Sequence, residues 1–493
     1  MGTRGIASFG AYIPRRRLSR SAIAAANAWA NPNLVAVARG TRAICGQDED
    51  SLTMAVAAAR HALREHAGRP VAELTFASTT LPFADRQNAT LIGEALSLSA
   101  QLRTGDAGGS LRAGIGALRA ALEAAAPTLV IASDKRLTRP GGAQEMRIGD
   151  AAAALIVDDR DLLAEYVGSQ AVSIDFVDHY RATGARFDYV LEERSVRDEG
   201  YMRIIPELVG ELLGNADVES ARVGKFIAAG LGARDAAAVA ACCGIAATAI
   251  VPDLHEPCGD TGTAHPLLLL THALQSAAPG ELILLLGFGQ GAEAILLRAS
   301  GAIASARDMI GAQAMIADGV PDDNYLRFLS FNGHVEMDWG MRAERDNKTA
   351  QAAFYRHRNT ATSMIGGRCT DCDTPQFPRS RVCVNPECRA TDTQTVEAFA
   401  DKAARVKSFT EDWLGLSFSP PLMYGNVRFE GGGVAMLEFS DFAPGELAVD
   451  TPLEMQFRLK DVDEKRDFRR YCWKAVPPRL SALNSSNRDK DNG

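Results

Sequence analysis

The feature that most restricts the fold is a segment that occurs twice. The first copy runs Gly105-Asp106-Ala107-Gly108-Gly109-Ser110-Leu111. An Ala/Leu-rich helix follows, then Ala126-Pro127 and the apolar strand Leu129-Val130-Ile131. The second runs Gly259-Asp260-Thr261-Gly262-Thr263-Ala264-His265, then another apolar helix, Ala278-Pro279 and the strand Leu282 to Leu286. A repeated turn–helix–turn–strand unit predicts a duplicated α/β core. Each helix would present free N–H groups and the positive end of its dipole at a Gly-rich turn. Two such ends facing one cleft would hold a developing oxyanion. Five residues after the Asp the copies diverge: Leu111 in the first, His265 in the second.

A chain of 493 residues exceeds one hydrophobic core and predicts two or three domains. The net charge is −8 with no long basic run, which argues against nucleic acid as the main partner. No uninterrupted apolar stretch reaches the roughly 18 residues of a membrane helix. Met1 to Gly10 leads into Arg15-Arg16-Arg17 and not into a long apolar run, so no signal peptide is expected. Of nine Cys, four cluster at metal spacing and five are scattered, a pattern suited to a reducing cytoplasm.

Residues 1–300 read as alternating strands and helices in two pseudo-symmetric halves, about 1–160 and 161–300. The strands are near-continuous apolar runs, as in a sheet covered on both faces. Ser51 to Leu63 reads as a helix preceded by the acids Asp48, Glu49 and Asp50. Residues 301–350 are expected to connect domains. Residues 351–395 hold the Cys pairs, and 396–478 alternate in short strands separated by Gly and Pro, which predicts a small β-barrel. The polar tail, 479–493, is expected to be disordered.

Cys369-x2-Cys372-x10-Cys383-x4-Cys388 is the most specific motif. Two Cys knuckles on a short hairpin place four thiolates around Zn²⁺ and leave no open position, so the zinc expected here is structural.

The stretch from this ribbon through Ser419-Pro420-Pro421-Leu422-Met423-Tyr424-Gly425 and Phe429-Glu430-Gly431-Gly432-Gly433 resembles the rubredoxin-like zinc-ribbon/OB-fold modules associated with acyl-CoA. Those modules accompany thiolase-like enzymes. Residues 1–300 resemble the 3-hydroxy-3-methylglutaryl-CoA synthase branch of the thiolase superfamily. The resemblance is carried by Gly5 to Pro14, Asp48 to Ala55, Gly108 to Gly114 and Gly287-Phe288-Gly289-Gln290-Gly291. It implies a layered αβαβα core, CoA thioester substrates and a homodimer. Several of the family's reactive residues are absent. Leu111 stands where the synthases have a nucleophilic Cys. Their Glu base would fall near Thr79 or Thr80, their His near Ala228 or Ala229, and their oxyanion-binding Asn at Asp260. A leucine forms no acyl-enzyme.

The remaining polar candidates are His265, Asp260, Asp106 and Ser110. His265, beside a helix N-terminus, is a candidate general acid/base, or a buried structural ring that caps or packs. The two Asp and Ser110 read equally well as helix caps. Cys258 is a spare thiol out of register with the family's Cys. Arg86, in Asp85-Arg86-Gln87-Asn88, is a candidate for a substrate carboxylate, or part of a solvated loop. Gly287 to Gly291 would place backbone close to a neighbouring group, with Gly289 and Gln290 as candidate substrate contacts. The expected activity is CoA-dependent acyl transfer or C–C bond chemistry on a β-keto acid or β-keto(hydroxy)acyl-CoA, retro-Claisen or aldol in type and independent of Cys. The alternatives are a non-catalytic acyl-CoA-binding scaffold and a condensing enzyme of the synthase type.

Overall fold

The computed structural model describes residues 3–66, 70–339, 349–463 and 465–479. The expected tail, 479–493, lies outside them from residue 480 onward. The chain forms two compact units: residues 1–93 with 99–335, and residues 94–98 with 336–493.

The first unit is built on one nine-stranded mixed sheet. Its strands, in chain order, are β1 (Gly5–Tyr12), β2 (Glu73–Ala77), β3 (Arg103–Ala107), β4 (Thr128–Asp134), β5 (Ala151–Asp158), β6 (Ala164–Ser173), β7 (Val223–Ala228), β8 (Leu282–Phe288) and β9 (Gly291–Ala299). The spatial order is β7-β8-β9-β6-β1-β5-β4-β2-β3. Every residue of β1, β4, β5 and β8 is buried, as strands covered on both faces must be.

The duplication is visible in the pairing. In the first half β1–β5 and β5–β4 are antiparallel, while β4–β2 and β2–β3 are parallel. In the second half β6–β9 and β9–β8 are antiparallel, and β8–β7 is parallel. The partner of β3 is reduced there to a single parallel bridge, Phe226 to Ile250. The halves join where Gly5 and Ile6 pair with Glu165 and Ala164. A Cβ on Gly5 would overlap the Ala164 carbonyl, so this seam needs glycine.

Helix α1 (Ser51–Arg64) begins where a capping box closes. The Asp50 carboxylate accepts from the N–H groups of Leu52 and Thr53, and the Thr53 hydroxyl accepts from the Asp50 N–H. Its remaining helices of note are α2 (Ala113–Glu123), α3 (Met202–Asn215), α4 (Ala233–Cys242) and α5 (His265–Ser276). Both α2 and α5 touch strands of the two halves, which makes them a middle layer between those halves. Accordingly α5 buries His265 to Thr271 without interruption. The N-terminal turns of α2 and α5 meet closely: a Cβ on Gly114 would come within 2.5 Å of the Thr263 carbonyl.

Two expectations are corrected. Gly105 and Asp106 are not part of a turn. They lie in edge strand β3, because the parallel ladder with β2 extends over them, pairing Thr75 with Gly105 and Phe76 with Asp106. Residues 301–335 belong to the first unit instead of connecting the two. Ile303, Ala306, Met315 and Phe328 are buried in it, and Phe328 shares a core with Leu18, Ile23 and Leu34.

In the second unit a three-stranded sheet, Pro375–Gln376, Ile365–Cys369 and Gln394–Ala398, carries the Cys knuckles. A five-stranded antiparallel sheet follows. Its order is Val434–Glu438, Leu422–Phe429, Ala404–Asp412, Pro452–Asp463 and Phe468–Val476. The end strands meet through a parallel bridge, Phe439 to Ala475, which closes the sheet into a small barrel. Phe377, Phe399 and Phe429 cluster between ribbon and barrel, with Phe399 and Phe429 edge-to-face and Phe377 tilted against both.

Candidate active site

A cavity of about 440 Å³ opens where the two middle-layer helices begin. Leu111, just before α2, and His265-Pro266, the first residues of α5, both line it. One wall is apolar, with Leu111, Val190, Leu191, Val196 and Leu231, and with Phe288 packed edge-on against Tyr201 at 4.8 Å. The polar lining includes Asp260, Asp178 and three of the chain's eight histidines, His179, His255 and His265. No cysteine lines it among the described residues.

His265 is 1% exposed. Its Nδ1 lies 3.3 Å from both the N–H and the hydroxyl of Thr261. A backbone N–H can only donate, so Nδ1 accepts and Nε2 carries the proton. That Nε2 is buried and has no hydrogen-bond partner. Burial lowers the ring's pKa to about 4, against the opposing pull of Asp260, so the imidazole is neutral at pH 7. Burial alone would raise the Asp260 carboxyl, but His265, His255, Arg136 and the Gly262 N–H together hold it below the usual carboxylate range.

Asp260 is fixed at both ends. Its backbone N–H donates to the Arg147 carbonyl at 2.7 Å and its carbonyl accepts from Gly149 at 2.8 Å. Its side chain accepts from the Gly262 N–H at 2.9 Å, bending the chain ahead of α5 instead of capping that helix. Gly259 and Gly262 take positive φ here, at 89° and 62°.

The other candidates are placed as follows. Asp106 is exposed and accepts from Asn88 and Ala89, so it caps the helix Asn88–Ala95 and does not line the cavity. Ser110 is 3.4 Å from the Gly289 carbonyl and receives the Arg112 N–H; it is not among the residues lining the cavity. Gln290, at φ 49°, reaches Asp178 at 3.4 Å. Arg86 stacks over Phe83 at 4.6 Å on the surface, away from the cavity. Cys258 is fully buried, donates to the Leu254 carbonyl, and burial raises its thiol to about 12. Such a thiol is inert.

Three groups escaped the sequence reading. His255 stacks on His265 with ring centroids 5.3 Å apart. Its Nδ1 is 3.3 Å from Asp253. His179 forms a second such dyad with Asp178 at 3.0 Å. Asp134, fully buried at the end of β4, accepts from Ser78, Thr79, Thr80 and the Thr263 N–H. It ties the strand end holding Thr79 and Thr80 to the turn before α5. The Asp253-Leu254-His255 triplet, just ahead of the Gly-rich turn, was the available signal.

In the second unit, the Sγ atoms of Cys369, Cys372, Cys383 and Cys388 all lie within 4.8 Å of one another, with 3.6 Å between Cys372 and Cys383 and 3.9 Å between Cys369 and Cys388. A tetrahedron with Zn–S bonds of about 2.3 Å has edges of about 3.8 Å, so these four thiols fit a zinc ion.

Comparison with known proteins agrees with this division. Residues 365–394 match the family described as ChsH2, rubredoxin-like zinc ribbon domain. The hydroxymethylglutaryl-CoA synthase of Aeropyrum pernix is 29% identical over 364 residues, covering 69% of this chain and 93% of that protein. That of Methanothermobacter thermautotrophicus is 25% identical, covering 68% and 99%. Among solved structures, an MvaS complex with 3-hydroxy-3-methylglutaryl coenzyme A aligns with a TM-score of 0.57 at 19% identity, covering 71% of this chain and 95% of that one. The 3-oxoacyl-(acyl carrier protein) synthase III of Pseudomonas aeruginosa aligns at 0.53 and 20% identity, covering 60% and 98%. Fold and sequence similarity together liken this chain to the thiolase-like acyltransferases and condensing enzymes. Within that class, the chain is a homologue of the hydroxymethylglutaryl-CoA synthases, extended by a rubredoxin-like zinc ribbon.

Proposed function

We propose that this protein is a CoA-dependent enzyme that makes or breaks a C–C bond next to a thioester or β-keto group without a covalent acyl-cysteine. The substrate class is a β-keto acid or a β-keto(hydroxy)acyl-CoA, and the step is retro-Claisen or aldol in type. One observation carries the reading: the cavity where the two middle-layer helices begin is lined by Leu111 and three histidines, with no thiol among its described residues.

In the cleavage direction, the CoA thiol gives its proton to a cavity base and the thiolate attacks the ketone carbon. The C–C bond then breaks, its electrons pass to the α-carbon as an enolate, and that carbon takes the proton back. The N–H groups at the starts of α2 and α5 and the protonated Nε2 of His265 are suited to the oxyanions of this path. The apolar wall of Leu111, Val196, Leu231 and Phe288 would hold the acyl chain. Zinc in the four-thiol ribbon would be structural, and the barrel would serve as an OB-type acyl-CoA-handling module. Strand β3 ends the sheet, and its outer edge is available to a second copy in the expected homodimer. In line with a cytoplasmic protein, no helix among the described residues is long and apolar enough to cross a membrane.

The test is incubation of the purified protein with CoA or acetyl-CoA and a panel of β-keto acids and β-hydroxyacyl-CoAs, with products read by mass spectrometry. New acyl-CoA species that vanish with His265→Ala are expected. CoA binding without any product would favour the scaffold reading instead.

A further inference from the structure

The chemistry above needs a base, and the structure removes the obvious one. His265 Nδ1 already accepts from the Thr261 N–H, and its Nε2 therefore bears hydrogen. In this state the ring is a donor and has no lone pair to offer. Asp260 is committed to the Gly262 N–H and to the turn it shapes.

His255 has the opposite arrangement. Its Nδ1 faces the Asp253 carboxylate at 3.3 Å, so Nδ1 carries hydrogen and Nε2 keeps its lone pair. Asp253 also accepts from the His255 backbone N–H at 3.1 Å, which fixes the carboxylate against its own ring. His255 lines the cavity and stacks on His265 with the rings 16° from parallel. Its Nε2, like that of His265, is buried and has no hydrogen-bond partner. A buried ring nitrogen left unpaired costs on the order of 1–3 kcal/mol. Two in contact, with complementary tautomers and at one cavity wall, are explained if a bound substrate completes both.

We propose that His255 is a second catalytic residue of this cavity and its proton-carrying base, that His265 donates to the developing oxyanion, and that Asp253 positions His255. The inference rests on the C–C bond reading and deepens it. His255 Nε2 takes the thiol proton of CoA as the thiolate adds to the ketone. The imidazolium then returns that proton to the enolate carbon once the C–C bond has broken. No further reactant is needed, because the proton lost by sulfur is the one gained by carbon.

The experiment uses the full chain, CoA and whichever β-keto acid the wild type cleaves. His255→Ala and His255→Gln are compared with wild type for kcat, KM and thermal midpoint. A general base contributes about 10²–10⁴-fold. We expect kcat to fall at least 100-fold in both variants, with KM within threefold and the melting temperature held. Added imidazole should restore His255→Ala, whose cavity can admit it, more than His255→Gln. Asp253→Asn should lower kcat less than His255→Ala. Turnover of the folded His255 variants within threefold of wild type overturns the inference and leaves the C–C bond reading intact. A kcat loss in His255→Ala without imidazole rescue, and with a fallen melting temperature, marks a structural ring and also overturns it. Absence of any cleavage by the wild type sinks both together.

Discussion

At the residue scale, the cavity illustrates how one buried ring reports on pH. His265 titrates near 4 in the folded protein, whereas an unfolded histidine titrates near 6.5. As pH falls, the unfolded chain takes up the proton first. The stabilisation is therefore fully present above about pH 6.5 and drains away as pH falls toward 4, by up to about 3 kcal/mol. Asp260, also lowered, gives up its contribution only below the ordinary carboxylate range near pH 4. Between pH 7 and pH 5 the His265 contribution thus changes while that of Asp260 does not. We expect the melting temperature of wild type to drop more over that interval than that of His265→Gln; equal drops would refute a ring held neutral by burial. Much of this site was legible in the chain. The second-copy turn led directly to Asp260 and His265, and the absence of Cys at position 111 was plain. His179 and Asp134 were not legible, because their approach to the turn depends on long-range pairing across the sheet. Asp106 differs from Asp260 because the parallel ladder with β2 runs through it, so the first Gly-rich turn begins only at Gly108.

At the element scale, function depends on how closely two helix ends are held. Gly114 lets α2 approach the turn before α5, and Asp134 ties that turn to the end of β2 through Ser78, Thr79, Thr80 and Thr263. Gly114→Val would force backbone apart at the junction, with no flexible side chain to yield. Overpacking of this kind costs about 1–3 kcal/mol, and we expect both a lower melting temperature and loss of turnover. Asp134→Ala would leave three hydroxyls and two backbone N–H groups seeking partners in a buried site. A loss of about 3 kcal/mol or more, read by urea unfolding, is expected, with Asp134→Asn intermediate. A neutral outcome for Asp134→Ala would mean that water satisfies the same groups.

At the scale of the whole molecule, apolar runs and the Cys spacing made both architectures readable, but not the boundary between them. Composition changes near residue 350, whereas the first unit closes at 335. The reason is that residues 303–331 look unremarkable in sequence yet bury Ile303, Ala306, Met315 and Phe328. Their role is clearest at the edge of the first unit. Arg16 pairs with Asp322 at 2.7 Å, and the Val320–Pro321 strand lies parallel to Arg16–Arg17. A chain ending at 300 would strip these partners from Leu18 and Ile23, and uncover a buried surface beside β1. One ending at 335 would keep the whole unit. We therefore expect residues 1–335 to be soluble with a cooperative melt, and residues 1–300 to aggregate or melt without cooperativity. Zinc gives the complementary outcome for the second unit: removal by a chelator should release one zinc per chain and abolish the melting of 349–479. It should leave the 1–335 fragment, which lacks the four ligands, at its original midpoint. A shift of that fragment on chelation would require a metal site in the first unit, where none is found among the described residues.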